Sequence, residues 1–255
     1  MPHASNFLLG RLAPATLARL APHLSVIDLA ATEVLAEPHQ RIQRVYFPHS
    51  GIISCIVELS DGATIETGMI GRDGVFGASQ ALDDKVSLNL VTMQFAGRAS
   101  VISPERLRAL ANGLPGFKAL LIEYEQFSFA QVQQTAACNA VHDIDERACK
   151  WLSRMYDLAG PDLPLTQELF ARMMGVRRTS VTTVAGALQD AGLISYSRGR
   201  LHIVDIERIR RRACECDDAV RSHFQRIFAV AETEMLDDRC ARRAIRQTPK
   251  ISVRS

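Results

Sequence analysis

Leu165-Thr166-Gln167-Glu168-Leu169-Phe170-Ala171-Arg172-Met173-Met174-Gly175-Val176-Arg177-Arg178-Thr179-Ser180-Val181 is the stretch that decides how this chain reads. Thr166 suits a helix N-cap, and Leu169, Phe170 and Met173 give the first helix an apolar face. Gly175 takes up the backbone geometry of a turn at little steric cost. In the second helix Val181, Val184, Ala185 and Leu188 repeat at three-to-four spacing and face inward, so Arg178, Thr179, Thr182 and Thr183 lie outward. A short helix, a glycine turn and a second helix opening with arginines has the shape of a helix-turn-helix DNA reader. Arginine can bond the O6/N7 edge of guanine in two places, and threonine offers a hydrogen bond plus a methyl for thymine. Arg177 is better placed for a phosphate. Thr166, Gln167 and Ser180 complete the expected DNA-binding set on the motif. The plain alternative is an ordinary polar helix surface, but β-branched threonines are modest helix formers, so propensity did not select them.

Directly after the second helix, Leu193-Ile194-Ser195-Tyr196-Ser197-Arg198-Gly199-Arg200-Leu201-His202-Ile203-Val204 reads as a β-hairpin with arginines at its tip. This is a wing, and Arg198 and Arg200 are expected to touch phosphates, which add affinity without specifying sequence. From Pro161 to Arg212 nine arginines face five acids, 9 − 5 = +4, in a chain whose formal net charge is only +2. A compact basic segment is the electrostatic footprint of a DNA-binding module, although a solvated basic surface would look the same without the motif.

Working outward, 255 residues suffice for two modest domains, and 47% hydrophobic with 23% charged residues is an ordinary globular balance. No apolar run reaches membrane-spanning length, and the first residues lack a signal-peptide pattern. No membrane association and a cytoplasmic location are therefore expected, with the six cysteines (55, 138, 149, 214, 216 and 240) as reduced thiols. Residues 6–23 read as short helices broken by Pro14 and Pro22. From about Ser25 to Ile102, short Val/Ile/Thr/Phe runs alternate with Gly, Asp-Gly and Pro, as in a small antiparallel barrel or roll. Ser60-Asp61-Gly62-Ala63 is its clearest hairpin turn.

A long helix is expected between Phe117 and Val141, where neither Gly nor Pro occurs. Phe117, Tyr124, Gln131 and Cys138 stand seven apart, as do Leu120, Phe127, Gln134 and Val141, forming an a/d-type seam. The seam reads either as a core helix within one chain or, more sharply, as a parallel homodimer seam. A further helix is expected from about Asp143 to Leu158, with Asp143 and Glu146 in a capping box. The expected class is α+β, made of an N-terminal antiparallel β-roll of the double-stranded β-helix or jelly-roll type (1–115), a dimerisation helix (116–142) and a winged helix-turn-helix (143–205). A C-terminal helix over about Asp205–Ala231 and a mobile tail fill 206–255.

This order resembles that of the Crp/Fnr family of bacterial transcription regulators. The resemblance covers roughly residues 6–205 and rests on Tyr46-Phe47-Pro48 with Ser50-Gly51, on Gly71-Arg72-Asp73-Gly74-Val75-Phe76-Gly77, and on Leu165 through Val181. It implies a homodimer on double-stranded DNA with a two-fold symmetric operator, a cyclic-nucleotide-binding-like roll controlling the reading heads, and RNA polymerase as a partner. Arg178 matches the family's base-reading arginine, while Thr179 and Thr183 stand where charged residues are usual. In the sensor, Gly71 is followed by Arg72 rather than glutamate. The phosphate-neutralising arginine and its hydroxyl neighbour fall at Ser87 and Leu88. The candidate effector set is Gly71, Arg72, Gly74, Ser87 and Leu88, and cyclic AMP is not expected to bind, because a buried phosphate without its cation is costly.

No cofactor and no metal are expected. Residues 1–54 lack the N-terminal cysteines of the oxygen-sensing members. Single histidines (His3, His23, His39, His49 and His142) are a weak haem signal. Cys214-Glu215-Cys216 is a weak metal or redox signal that reads as unpaired helix thiols. No nucleophile elbow, phosphate loop or HExxH motif points to an enzyme. The competing reading is a signal-binding or protein-interaction module whose winged domain no longer binds DNA.

Overall fold

The computed structural model describes residues 2–229. The chain opens with two short helices, α1 (Phe7–Arg11) and α2 (Pro14–Leu20). Asn6 caps α1 by accepting from the amides of Leu8 and Leu9, while its side-chain amide donates to the carbonyls of Pro48 and Gly74. One buried asparagine thus ties the first helix to the roll.

Seven strands follow: β1 (Ser25–Leu29), β2 (Val34–Ala36), β3 (Val45–Pro48), β4 (Ile52–Glu58), β5 (Thr64–Ile70), β6 (Leu90–Phe95) and β7 (Gly97–Ile102). They form two antiparallel sheets of order β1-β7-β3 and β2-β6-β4-β5. The β4–β5 hairpin turns at the expected place, with Asp61 Oδ1 accepting from the Ala63 amide and Gly62 at φ +83°. A helix α3 (Ala78–Asp83) lies between β5 and β6, and α4 (Pro104–Gly113) follows the roll, with Ser103 accepting from the Arg106 amide as its cap.

The long helix α5 runs Pro115–Val141, with Phe117, Leu120, Leu121, Tyr124 and Phe127 inside the core that the roll and N-terminal helices share. The chain passes through His142 into α6 (Ile144–Ala159), which starts on the expected capping box. Then come β8 (Asp162–Leu163), α7 (Gln167–Met174), α8 (Arg178–Asp190), β9 (Ile194–Ser197), β10 (Arg200–Ile203) and α9 (Ile206–Arg212). The strands β8-β10-β9 form a small antiparallel sheet beside the two helices. A second core runs through α6–α9 and includes Ile52, Met69 and Phe95 of the roll, so roll and winged unit are packed together.

The C-terminal helix differs from the single helix that periodicity suggests. Helix α9 stops at Arg212, Ala213 is extended, and a helix α10 occupies 216–229. No Gly or Pro marks the break; it is imposed by the burial of Cys214 and Cys216 against Cys138 of α5. Phe224 and Phe228 of α10 then pack on Phe7 of α1 and Phe127 of α5. The expected mobile tail lies outside the described residues. Among the described residues no helix is long and apolar enough to cross a membrane.

Candidate nucleic-acid interface

The reading helix is built as its sequence implies. Thr166 accepts from the Leu169 amide at 3.0 Å and caps α7. Gly175 ends α7 with φ +64°, its amide donating to the Arg172 carbonyl at 3.1 Å. Val181, Ala185 and Leu188 are buried, whereas Arg177, Arg178, Thr179, Thr182 and Thr183 are exposed and Ser180 and Gln167 half-exposed. A positive φ is what allows the chain to reverse within one residue and start α8 at Arg178.

The hydroxyls on this face are held within the motif. Thr182 Oγ1 lies 2.8 Å from Gln167 Oε1 and 3.1 Å from the Arg178 carbonyl, and Thr183 Oγ1 donates to the Thr179 carbonyl at 3.1 Å. Gln167 and Thr182 therefore couple the two helices at the surface. Tyr196 of the wing donates its hydroxyl proton to the Leu165 carbonyl, fixing the hairpin to the start of the motif. Burial raises the Tyr196 phenol and the nearby Arg178 guanidinium opposes that shift, so the wing and Arg178 share one electrostatic neighbourhood.

The wing turns on Arg198 and Gly199, between paired Ser197 and Arg200. Both carry positive φ, +49° and +76°, the pattern of a two-residue primed turn. Arg198 and Arg200 are exposed beside α8's face. The expected DNA-binding residues are thus gathered on α7, α8 and the wing, with no acid in an ion pair with Arg177, Arg178, Arg198 or Arg200 among the described contacts.

The seam residues divide differently. Phe117, Leu120, Tyr124 and Phe127 are 1–7% exposed inside the protomer, so none of these side chains is free to meet a partner. The periodicity was that of α5's inward face, where the roll supplies the apolar surface. Cys138 is buried against Cys214, Gln131 and Gln134 are half-buried, and Val141 alone of the eight is exposed. Ile122 and Phe129, at 54% and 65%, stand on the outward face.

The five expected effector residues have different surroundings. Gly71 packs on Leu158, Gly74 on the Tyr124 ring, and Arg72 lines a cleft of about 670 Å³ between the roll and the end of α6. Ser87 sits in the loop before β6, its hydroxyl donating to the Asn89 carbonyl, and Leu88 is 73% exposed. Between Gly71 and Gly74, Asp73 pairs with Arg154 of α6 at 2.6 Å, both largely shielded from solvent.

Three features escaped sequence reasoning. A second cleft, of about 340 Å³, lies between the roll and α7, lined by Ser54, Glu66, Gln94, Leu169, Arg172 and Met173 among others. Glu66 is 2% exposed, accepts from the Ser54 hydroxyl through one oxygen, and has no partner on the other. Burial pushes its carboxyl up to about 8, against the pull of the Ser54 and Cys55 hydrogen bonds. Next, His3 Nδ1 and His49 Nε2 both lie 2.7 Å from the Ser100 hydroxyl, which occupies two of the histidines available for haem. Finally, Cys138, His142, Cys214 and Cys216 form one cluster. Only the Cys214-Glu215-Cys216 half of the last has a local sequence signal, because each feature joins residues from distant elements.

Residues 146–212 match the family model of the Crp-like helix-turn-helix domain. No curated protein matches the chain significantly. Among solved structures, the c-di-GMP-responsive global regulator CLP of Xanthomonas campestris is 18% identical, covering 76% of this chain and 100% of its own, with a TM-score of 0.61. FixK2 of Bradyrhizobium japonicum is 13% identical over 75% of this chain and 98% of its own, at 0.65. A CRP-family transcriptional regulator of Thermus thermophilus is 19% identical over 73% and 96%, at 0.60. At these identities the likeness is one of fold, and it extends from the roll through the reader.

Proposed function

We propose that this chain, which carries a Crp-like helix-turn-helix domain on a Crp/Fnr-type fold, is a sequence-specific DNA-binding transcription regulator. The observation that carries the reading is the unobstructed Arg178/Thr face of α8 with the arginine wing beside it. Arg178 reads a base edge, Arg177, Arg198 and Arg200 hold phosphates, and Thr179, Thr182, Thr183, Ser180, Thr166 and Gln167 complete the interface.

The regulator works as a homodimer through the outward face of α5. Ala119, Ile122, Gln126, Phe129, Gln133 and Ala136 recur there at alternating three and four spacing, and all are exposed. This face, not the inward one, supports a two-fold axis that spaces two reading helices one DNA turn apart. Phe129→Asp should convert the dimer to monomer in sedimentation analysis and remove operator binding, while leaving the melting temperature nearly unchanged. RNA polymerase is the further partner that the resemblance implies.

The roll controls the reader through α7, which lies on β5; the Gln94 amide reaches Met173 Sδ at 2.8 Å, and Ile65 borders Gly175. A ligand in the Glu66 cleft would act on this contact directly. Cyclic AMP is not the expected effector, since neither Ser87 nor Leu88 supplies a cation for its phosphate; calorimetry with micromolar cyclic AMP should give no heat of binding.

Selection of bound sequences from a random duplex pool, with and without candidate effectors and reductant, tests the whole reading. Enrichment of an inverted repeat, with affinity falling steeply as salt rises, is expected. Recovery of the pool unchanged would favour the protein-interaction module instead.

A further inference from the structure

The hinge between α5 and the reader is two residues, His142, the C-cap of α5, and Asp143, the N-cap of α6. Cys138 lies four residues before His142 on the same helix face. The break between α9 and α10 brings Cys214 and Cys216 to the same spot, and the one nitrogen and three sulfurs all lie within 4.8 Å of one another. Cys138 Sγ is 3.6 Å from Cys214 Sγ, and His142 Nδ1 is 3.5 Å from Cys216 Sγ. A zinc ion with Zn–S near 2.3 Å and Zn–N near 2.0–2.1 Å sets tetrahedral edges of about 3.8 Å between sulfurs and about 3.6 Å between sulfur and nitrogen. The cluster is therefore already near the size of one four-coordinate ion.

We propose that Cys138, His142, Cys214 and Cys216 are a structural zinc site that locks the hinge between the long helix and the DNA-reading unit. The surrounding groups fit that role. Glu215 Oε2 lies 3.0 Å from His142 Nε2, so Nε2–H donates to the carboxylate and Nδ1, the nitrogen facing Cys216, is left unprotonated as a ligand. This is the carboxylate–histidine support that metal-bound imidazoles need. The Gln134 amide donates to Cys216 Sγ at 3.1 Å, a bond suited to a thiolate. Cys138, Cys214 and Cys216 are at most 5% exposed, which closes the site to solvent as in structural zinc centres.

Charge is balanced as well. Binding releases one proton from each of the three thiols, and two positive charges against three thiolates leave one negative charge. Lys150 is 6% exposed, its ammonium has no hydrogen-bond acceptor, and its field acts on Cys138. Buried thiols used only as apolar filler would account for neither the imidazole nor the amide aimed at sulfur. A disulfide between Cys138 and Cys214 would leave Cys216 and His142 without a role. An iron–sulfur cluster inserts its own irons and sulfides between the thiolates and needs a wider cage than these distances give.

The full chain, purified under reductant from zinc-supplemented cells and desalted, tests this by elemental mass spectrometry. About one zinc per protomer is expected in the wild type and in Cys149→Ser, and below roughly a tenth of that in Cys214→Ser and Cys216→Ser. If a cysteine variant fails to fold, His142→Gln decides instead: it should fold and lose zinc to a chelator at least roughly tenfold more readily. Cobalt loaded into the stripped protein should show the intense visible bands of a tetrahedral thiolate site. Zinc removal should raise amide exchange at 138–145 and 213–218. Wild type without zinc, iron in its place, full zinc in Cys214→Ser, weak octahedral cobalt bands, or unchanged exchange at the hinge would each overturn the proposal. None of these readouts depends on DNA, so its failure is separate from failure of the regulator reading.

Discussion

The reader and the roll treat polar groups in opposite ways. Between residues 162 and 204, beyond α6 with its buried Arg147, Lys150 and Ser153, every buried side chain is apolar, and the polar groups of the motif face outward on Arg178, the threonines and the wing. The roll buries Ser54, Glu66, Ser87 and Ser100 among its apolar side chains. An outward-facing site leaves its core free to be simple, and a core of Leu, Val, Phe and Met costs nothing in desolvated polar groups. An inward-facing polar group raises the stakes: it is either satisfied or it sets a condition on stability.

The largest expected effect lies where the long helix joins the roll's core. Phe127 is 2% exposed and sits 5.1 Å from the Phe224 ring in an edge-on contact and 6.0 Å from Tyr124. Phe127→Ala should cost about 3–5 kcal/mol, read as a lower melting temperature of the full chain. It should leave the dimer's dissociation constant unchanged in folded protein. If it weakens assembly while sparing the melt, Phe127 meets a partner after all, and the inward seam assigned to the roll is wrong.

Glu66 comes next and tests the claim that the roll's polar interior matters. Its folded carboxyl is pushed up to about 8 from an ordinary 4.5 by burial. The folded state therefore holds the proton through a pH range in which the unfolded state has released it. Stability falls as pH rises from about 4.5 to about 8, and the loss is complete above that. Glu66→Gln keeps the shape, removes the charge, and should flatten this slope. At pH 8 it should gain on the order of 2 kcal/mol, allowing for relaxation and water entry. Chemical denaturation of both proteins from pH 5 to 9 measures it; parallel curves would mean that Glu66 is ionised at no cost and the contrast with the reader disappears.

What the sequence made legible follows the same division. The reader declared itself because its information is local: Thr166 caps, Gly175 turns, and Val181, Ala185 and Leu188 point inward within a few residues of the arginines they orient. The roll's strands were also readable from their β-branched runs and the Asp61-Gly62 turn from the β4–β5 hairpin, whereas the other pairings join strands distant in sequence. The period of the α5 seam is legible, but the choice between core helix and dimer seam is not, because periodicity shows that a face is buried and not what buries it. Cys214 and Cys216 looked unpaired because their companions, Cys138 and His142, lie more than seventy residues away. The α9–α10 break had no Gly or Pro to announce it; tertiary burial overrode a helical pattern.

On the reader's side the effects are on binding rather than folding. Arg178→Ala should cost about 1–3 kcal/mol on the selected operator and relax choice at one base pair of each half-site. Its side chain is exposed at the start of α8, so the melting temperature should barely move. Fluorescence anisotropy against the operator and single-base variants separates the two results. An even loss across all sequences would demote Arg178 to a phosphate contact and leave the base-reading role to the threonines.

The smallest effect is the most pointed. Arg198 holds φ +49°, a conformation that costs a residue with a full side chain and that asparagine tolerates better. Asparagine or glycine would suit that conformation better, so the turn's own stability does not account for an arginine there. Arg198→Asn should leave the fold unchanged or raise its stability by a few tenths of a kcal/mol, consistent with the turn's preference. It should weaken every DNA sequence alike. The slope of log affinity against log salt should become shallower by roughly 0.9 per wing, about twice that in a dimer. A variant that loses stability instead would show that Arg198 serves the hairpin, and the sharp line between an outward-working reader and an inward-loaded roll would have to be redrawn at the wing.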